Sequence, residues 1–319
     1  MLFRSFKGDK RVNFIFETLI KLKSELNELG SDLFILYGDP IHEIPKIAEE
    51  LKVNCVFSNK DYEPYAQKRD KSVKNRLEKE NINFLQFKDQ VIFEEAEILN
   101  VSHEPYKVFT PYKNSWLKKI KKEHLFDFNP NLKNLFKKNS LKKHSKDLEL
   151  ESIGFEKSSL ILKPGRSGAI EKLKQFLPKI DSYDKKRNDI DYEGTSKISI
   201  YLRFGVVSIR ELFRYANESN SIGAQVWKSE LIWREFYQMI LSQFPHVAKS
   251  SFKTEYSDLQ WEGEEEHFEK WCEGQTGYPI IDAAMRYFNQ TGWMHNRLRM
   301  VVASFLTKDL LINYRKGEE

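Results

Sequence analysis

Cysteine is scarce in this sequence: among 319 residues only Cys55 and Cys272 occur. Two thiols so far apart, without metal-ligand spacing, exclude a disulfide framework and a zinc site. No apolar run reaches the roughly 18 residues of a membrane span. The first ten residues carry Arg4, Lys7 and Lys10 rather than the apolar stretch of a signal peptide. These absences predict a soluble, cytoplasmic chain. What is present is ordinary for a globular protein, with 40% hydrophobic and 31% charged residues, so disordered and collagen-like classes drop out. At about 100 to 200 residues per domain, the length predicts two domains.

The net charge of +5 hides an uneven distribution. Residues 112–146 hold eleven lysines against Glu123 and Asp127, which leaves the remainder net acidic. Such a block is either a solvated connection or a surface for a phosphate backbone.

Two periodicities divide the chain. Residues 14–29 repeat apolar positions at helical spacing and stop at Gly30, and further helices are expected over 41–51 and 62–80. Between them, LFILYG (33–38), VNCVFSN (53–59) and INFLQF (82–87) are short apolar runs that read as strands. Strands alternating with helices predict a parallel α/β sheet. From about residue 165 the strand signal vanishes. A Ser208-x-x-Glu211 capping box, a long helix over 222–243, a helix opening at Pro279 and another over 294–313 predict an all-helical second half. The expected division is an α/β domain over 1–109, a basic connector over 110–165 and a helical domain over 166–319.

Three constellations stand out. On the 222–243 helix, Trp227, Glu230, Arg234, Tyr237 and Leu241 share one face, and Ile232, Phe236, Met239 and Ile240 form the opposite, core-facing side. A carboxylate among tryptophans must pair, neutralise or face a ligand. The two readings are a Glu230–Arg234 pair at i, i+4 and a ligand cavity. In TGWMHNRLRM (291–300), Asn296 and Met300 share a face, and Arg297 lies at a helix N-terminus where the dipole favours an anion. It is either a surface arginine or a phosphate contact. In EGTSKIS (193–199), with Tyr183 upstream, Gly194 and several hydroxyls form either a helix cap or a phosphate cradle.

WREFY (233–237), EGTSKIS, GYPIIDAAMRY (277–287) and TGWMHNRLRM, in this order, together with HEPYKVFTPYKNSWLKK (103–119), resemble the photolyase and cryptochrome family over nearly the whole chain. Within it, the Met-His-Asn-Arg-Leu-Arg-Met form is similar to class I cyclobutane pyrimidine dimer photolyases. The resemblance implies an incomplete Rossmann-like α/β domain followed by an all-α FAD-binding domain. It implies light-driven repair of pyrimidine dimers in DNA by a monomer, with no membrane partner. FAD contacts would be Tyr183, Thr195, Ser196, Lys197, Ile198, Ser199, Trp227 and Arg234. Glu230, Trp233, Asn296 and Met300 would engage the dimer, and Glu230, Trp233, Arg234, Tyr237, Asn296 and Arg297 the DNA. Trp261 and Tyr314 would carry electrons to the flavin, with Tyr314 standing where the family has a tryptophan. His103, Glu104 and Lys249 fall where relatives hold a folate antenna, methenyltetrahydrofolate. The family's first strand, helix and strand are not found before Lys10, so the three strand runs are expected not to form one continuous sheet. Its last flavin-loop segments are not found before Glu319, so an incomplete photolyase is expected. The alternatives are a cryptochrome-like photoreceptor and a flavin-free remnant with residual DNA binding.

Overall fold

The computed structural model describes residues 7–137 and 148–318. Helix α1 (Lys10–Glu28) starts where the Asp9 carboxylate accepts the Arg11 amide, and α2 (Pro40–Glu50) starts where Asp39 caps Ile41. Strand β1 (Cys55–Asn59), α3 (Pro64–Lys79) and β2 (Asn83–Phe87) follow. The two strands are parallel, in register from Cys55 opposite Asn83 to Asn59 opposite Phe87, with α3 as the crossover. Residues 33–38 have strand-like composition but join no ladder, and Leu36 and Tyr37 are exposed. The expected third strand is therefore not formed, and the sheet has two strands among the described residues. Propensity alone does not make a strand without a neighbour to take its hydrogen bonds.

Helix α4 (Phe109–Lys119) corrects the picture of residues 110–165 as a solvated connection. Its Phe109, Tyr112 and Trp116 are buried in the main core, while its lysines face outward. Of the lysine cluster, Lys138, Lys142, Lys143 and Lys146 lie outside the described residues. Helices α5 (Gly165–Phe176), α6 (Tyr183–Lys186), α7 (Ser199–Arg203), α8 (Ile209–Asn217) and α9 (Ile222–Gln243) complete that core. It also takes Phe14, Ile92, Phe93 and Ile98 from the first 109 residues, so the sequence-drawn boundary at 109 cuts through one hydrophobic cluster. Ser208 caps α8 as expected, but Glu211 does not close the box. Its carboxylate takes both guanidinium nitrogens of Arg166, at 2.7 and 2.6 Å. The start of α9 packs so closely on residues 180–181 that a Cβ at Gly223 would lie 2.2 Å from the Ile180 carbonyl oxygen.

Helices α10 (Glu265–Glu273), α11 (Pro279–Thr291) and α12 (Asn296–Ser304) enclose a second cluster around Trp271, Ile281, Met285 and Leu306. The helix expected over 294–313 is shorter than its pattern. It passes into a π-helical turn at Phe305–Asp309, and α13 (Tyr314–Glu318) follows separately. No helix of the described residues is long and apolar enough to cross a membrane.

Candidate flavin and lesion cavity

Helix α9 places its residues as the periodicity predicts on one side: Ile232, Phe236 and Met239 are buried in the core. On the other side, Trp227, Glu230 and Arg234 line a cavity of about 460 Å³. Its opposite wall is the loop Thr195–Ser199 and its end is formed by Asn296 from α12, with Tyr183 contributing from α6. The motifs singled out at 183, 193–199, 227–234 and 296 thus converge on one space.

The loop is tightly held. Gly194 is buried, and a Cβ there would lie 2.3 Å from the Lys186 carbonyl oxygen. Lys197 has a left-handed backbone (φ 49°), and its ammonium pairs with Glu193 and sits 4.9 Å from the Trp293 ring centroid. This turns the loop into α7 with the hydroxyls of Thr195, Ser196 and Ser199 at the cavity wall.

Glu230 does not pair with Arg234. Its Oε1 accepts from Arg187 Nη1 at 2.6 Å, with both side chains partly buried. Burial disfavours charge on Arg187, but the bond to Glu230 outweighs it and its pKa lies above the usual guanidinium value. Arg187 also lies over the Tyr183 ring, 5.3 Å from its centroid. The residue was hidden in the sequence by the run Asp184-Lys185-Lys186-Arg187, which reads as an ordinary solvated stretch. Arg299 lines the cavity, as do Trp293 and Met294, which were overlooked in that motif.

Arg234 reaches the cavity wall but donates from Nη1 to the Gln90 carbonyl at 2.5 Å, and burial pulls its pKa down. Beside it, Glu235 is only 2% exposed. Its carboxylate accepts from the amides of Ile92 (2.7 Å) and Phe93 (3.0 Å) and from Trp116 Nε1 (2.5 Å). Together these contacts fasten α9 to the segment leaving β2.

The remaining expected residues lie outside this cavity. Trp233 stacks on Phe109 with centroids 3.5 Å apart and on Tyr237 at 5.4 Å. Arg297 donates from Nε to Asn188 Oδ1 at 2.8 Å, and with Met300 it lines a separate cleft of about 480 Å³. Trp261 and Tyr314 have ring centroids 6.4 Å apart, and the Tyr314 hydroxyl is 3.2 Å from Ser251 Oγ. Tyr314 lines a separate cavity that shares Met294 and Arg299 with the first. His103, Glu104 and Lys249 are exposed, and no contact joins them among the described residues. Between their segments, Lys107 lies over the Phe244 ring at 5.7 Å.

Residues 2–131 match the family model for DNA photolyase, and residues 227–319 match that for the FAD binding domain of DNA photolyase. The chain is 37% identical to deoxyribodipyrimidine photo-lyase of Synechococcus sp., over 97% of this chain and 66% of that one. It is 35% identical to the Vibrio cholerae protein of the same name, over 97% and 68%. The chain belongs to the DNA photolyase family. Among solved structures, the class III photolyase of Agrobacterium tumefaciens superposes with a TM-score of 0.88 at 29% identity, covering 98% of this chain and 66% of that one. The photolyase relatives are longer: this chain spans about two thirds of their length.

Proposed function

We propose that this chain binds FAD in the cavity bounded by α9 and the Thr195–Ser199 loop and repairs cyclobutane pyrimidine dimers in DNA under light. The observation that carries this reading is the convergence of Glu230, Asn296 and the hydroxyl loop on one cavity, with Arg187 holding the carboxylate. The donor set fits the cofactor. A loop with three hydroxyls, entering a helix and pressed so tightly that Gly194 admits no Cβ, is a diphosphate cradle, and Trp227 and Trp293 offer ring faces. When bound and reduced, the flavin supplies a light-driven electron to the substrate.

The protein's own residues bind and orient. A pyrimidine dimer distorts the duplex, so it leaves the stack at lower cost than an intact pair. Glu230 accepts hydrogen bonds from the dimer's ring N–H groups, and Arg187 keeps it aimed. Asn296 supplies a carbonyl and an amide to the same edge. Trp233, steadied by its stacking on Phe109 and Tyr237, offers its remaining apolar surface to the dimer, and Met300 touches the ring's apolar side. Arg297 at the rim takes a DNA phosphate. The test is dimer cleavage in irradiated oligothymidylate under blue light, with the flavin spectrum of the purified chain recorded alongside. Light-dependent cleavage supports the reading. Bound flavin without cleavage would make the chain a photoreceptor, and no flavin would make it a remnant.

A further inference from the structure

The lysine-rich block lines no part of the flavin and lesion cavity, and its described portion presents an outward face. Helix α4 ends in Lys118 and Lys119, and the 3₁₀ turn Lys122–Leu125 follows at once. Beyond it the chain is extended at Phe126 (φ −66°, ψ 147°). Arg214 of α8 fastens this stretch from the inside, donating from Nη1 to the Leu125 carbonyl at 2.6 Å and from Nη2 to Asp127 Oδ1 at 2.5 Å. Leu125 is buried. Successive side chains of an extended chain point to opposite sides, so with Leu125 and Asp127 turned toward α8 the rings of Phe126 and Phe128 face water. They are 62% and 82% exposed, and Phe128 is the most exposed Phe, Tyr or Trp of the described residues. The guanidinium of Arg210, itself anchored on Asp89 at 2.6 Å, lies 5.8 Å from the Phe128 centroid and steadies the ring.

Charge along this segment is of one sign once the ion pairs are set aside. Glu123 pairs with Lys121 at 3.8 Å and Asp127 with Arg214, whereas Lys118, Lys122, Lys133 and Lys137 are exposed and meet no carboxylate among the described residues. Two phenyl rings in water, within a run of unpaired ammonium groups, are more than a solvated connection needs, since the rings lose by their exposure and the like charges repel. A polyanion with flat apolar faces answers both. Single-stranded nucleic acid is such a ligand: its phosphates meet the ammonium groups and its bases stack on the rings. In a duplex those base faces are already covered. A lipid surface fits less well, because Phe128 runs into Asn129-Pro130-Asn131, with no apolar belt to insert. We infer that the face carrying Phe126, Phe128, Lys118 and Lys122 is a second nucleic-acid contact, for an undamaged single strand. Neither Glu230 nor flavin enters it, so it holds or fails independently of dimer repair.

The test uses the full chain and a fluorescein-labelled, unirradiated dodecathymidylate, followed by anisotropy over a range of salt. Phe126→Ala/Phe128→Ala should weaken binding at least about tenfold with the salt slope unchanged, as expected of lost base stacking. Lys118→Gln/Lys122→Gln should flatten the slope of log K against log salt by about 1.4, at roughly 0.7 per phosphate contact on a single strand. These side chains are exposed, so the variants keep the fold, which circular dichroism checks. The loss in the phenylalanine variant should recur in an Arg297→Ala background, which separates this face from the rim of the lesion site. Unchanged affinity in the phenylalanine variant would overturn the proposal, as would a loss seen only with duplex DNA or only with phosphatidylserine vesicles.

Discussion

Arg187 Nη1 and Glu230 Oε1 meet at 2.6 Å across 43 residues of sequence, and the carboxylate that Arg187 holds is on the wall of the cavity. Arg187→Ala strands the carboxylate that would grip the lesion. Affinity for dimer-containing DNA is expected to fall roughly tenfold, the order of a lost charge-assisted hydrogen bond. Flavin content should stay near wild type, and Arg187→Lys should recover part of the loss. Fluorescence anisotropy with an irradiated oligonucleotide reads the first effect and the absorbance ratio the second. Parallel loss of flavin and DNA binding would show that Arg187 only holds the fold.

Glu235 gives the fold a pH dependence. Burial pushes its carboxyl from the usual 4.5 up to about 7, against the pull of its Trp116, Ile92 and Phe93 donors. Between those values the folded chain holds a proton that the unfolded chain has released. Stability from this group is therefore greatest below pH 4.5 and declines by roughly 1–3 kcal/mol as pH rises to about 7. Glu235→Gln should remove this slope and itself cost about 1–3 kcal/mol, because an amide turns a donor toward other donors. Urea denaturation at several pH values measures both effects. An identical slope in the variant would locate the pH dependence elsewhere.

Gly194→Ala tests the loop. With a Cβ 2.3 Å from the Lys186 carbonyl oxygen, the loop must move away from α6. The expected cost is about 1–3 kcal/mol, with flavin occupancy reduced severalfold, read from the visible absorbance of the purified protein. Full occupancy in the variant would show that the 194–199 backbone does not hold the cofactor.

Tyr314→Trp should quicken flavin photoreduction severalfold under continuous blue light, and Trp261→Phe should slow it. A tyrosine releases a proton when it loses an electron, and the hydroxyl beside Tyr314, Ser251 Oγ, is a weak base. Bleaching of the oxidised flavin band with an external donor gives the rates. If neither change matters, electrons reach the cavity by another route.

Helix α9 and the loop at 194–199 were legible because their chemistry is local: a period of 3.6, a cap serine, a glycine before hydroxyls. Arg187 was not, because a basic residue in a lysine run acquires meaning only from a carboxylate distant in sequence. The same holds for residues 33–38, whose composition is that of a strand but whose state depends on a neighbour. Glu235 was hidden by its own neighbours, since WREFY places it beside the more conspicuous Trp233 and Arg234. Helix α4 was mistaken for connection because its lysines dominate the composition, while three aromatics at helical spacing decide its burial.

The clamp at Glu235 also sets an order of events during synthesis. The amide of Ile92 leaves the ribosome 143 residues before the carboxylate that will accept its hydrogen bond. Until then that amide, the Phe93 amide and the Trp116 indole have only water as a partner, so the first 116 residues cannot finish their own core. The helix that carries the cavity wall is thus also the piece that completes the part of the molecule made before it.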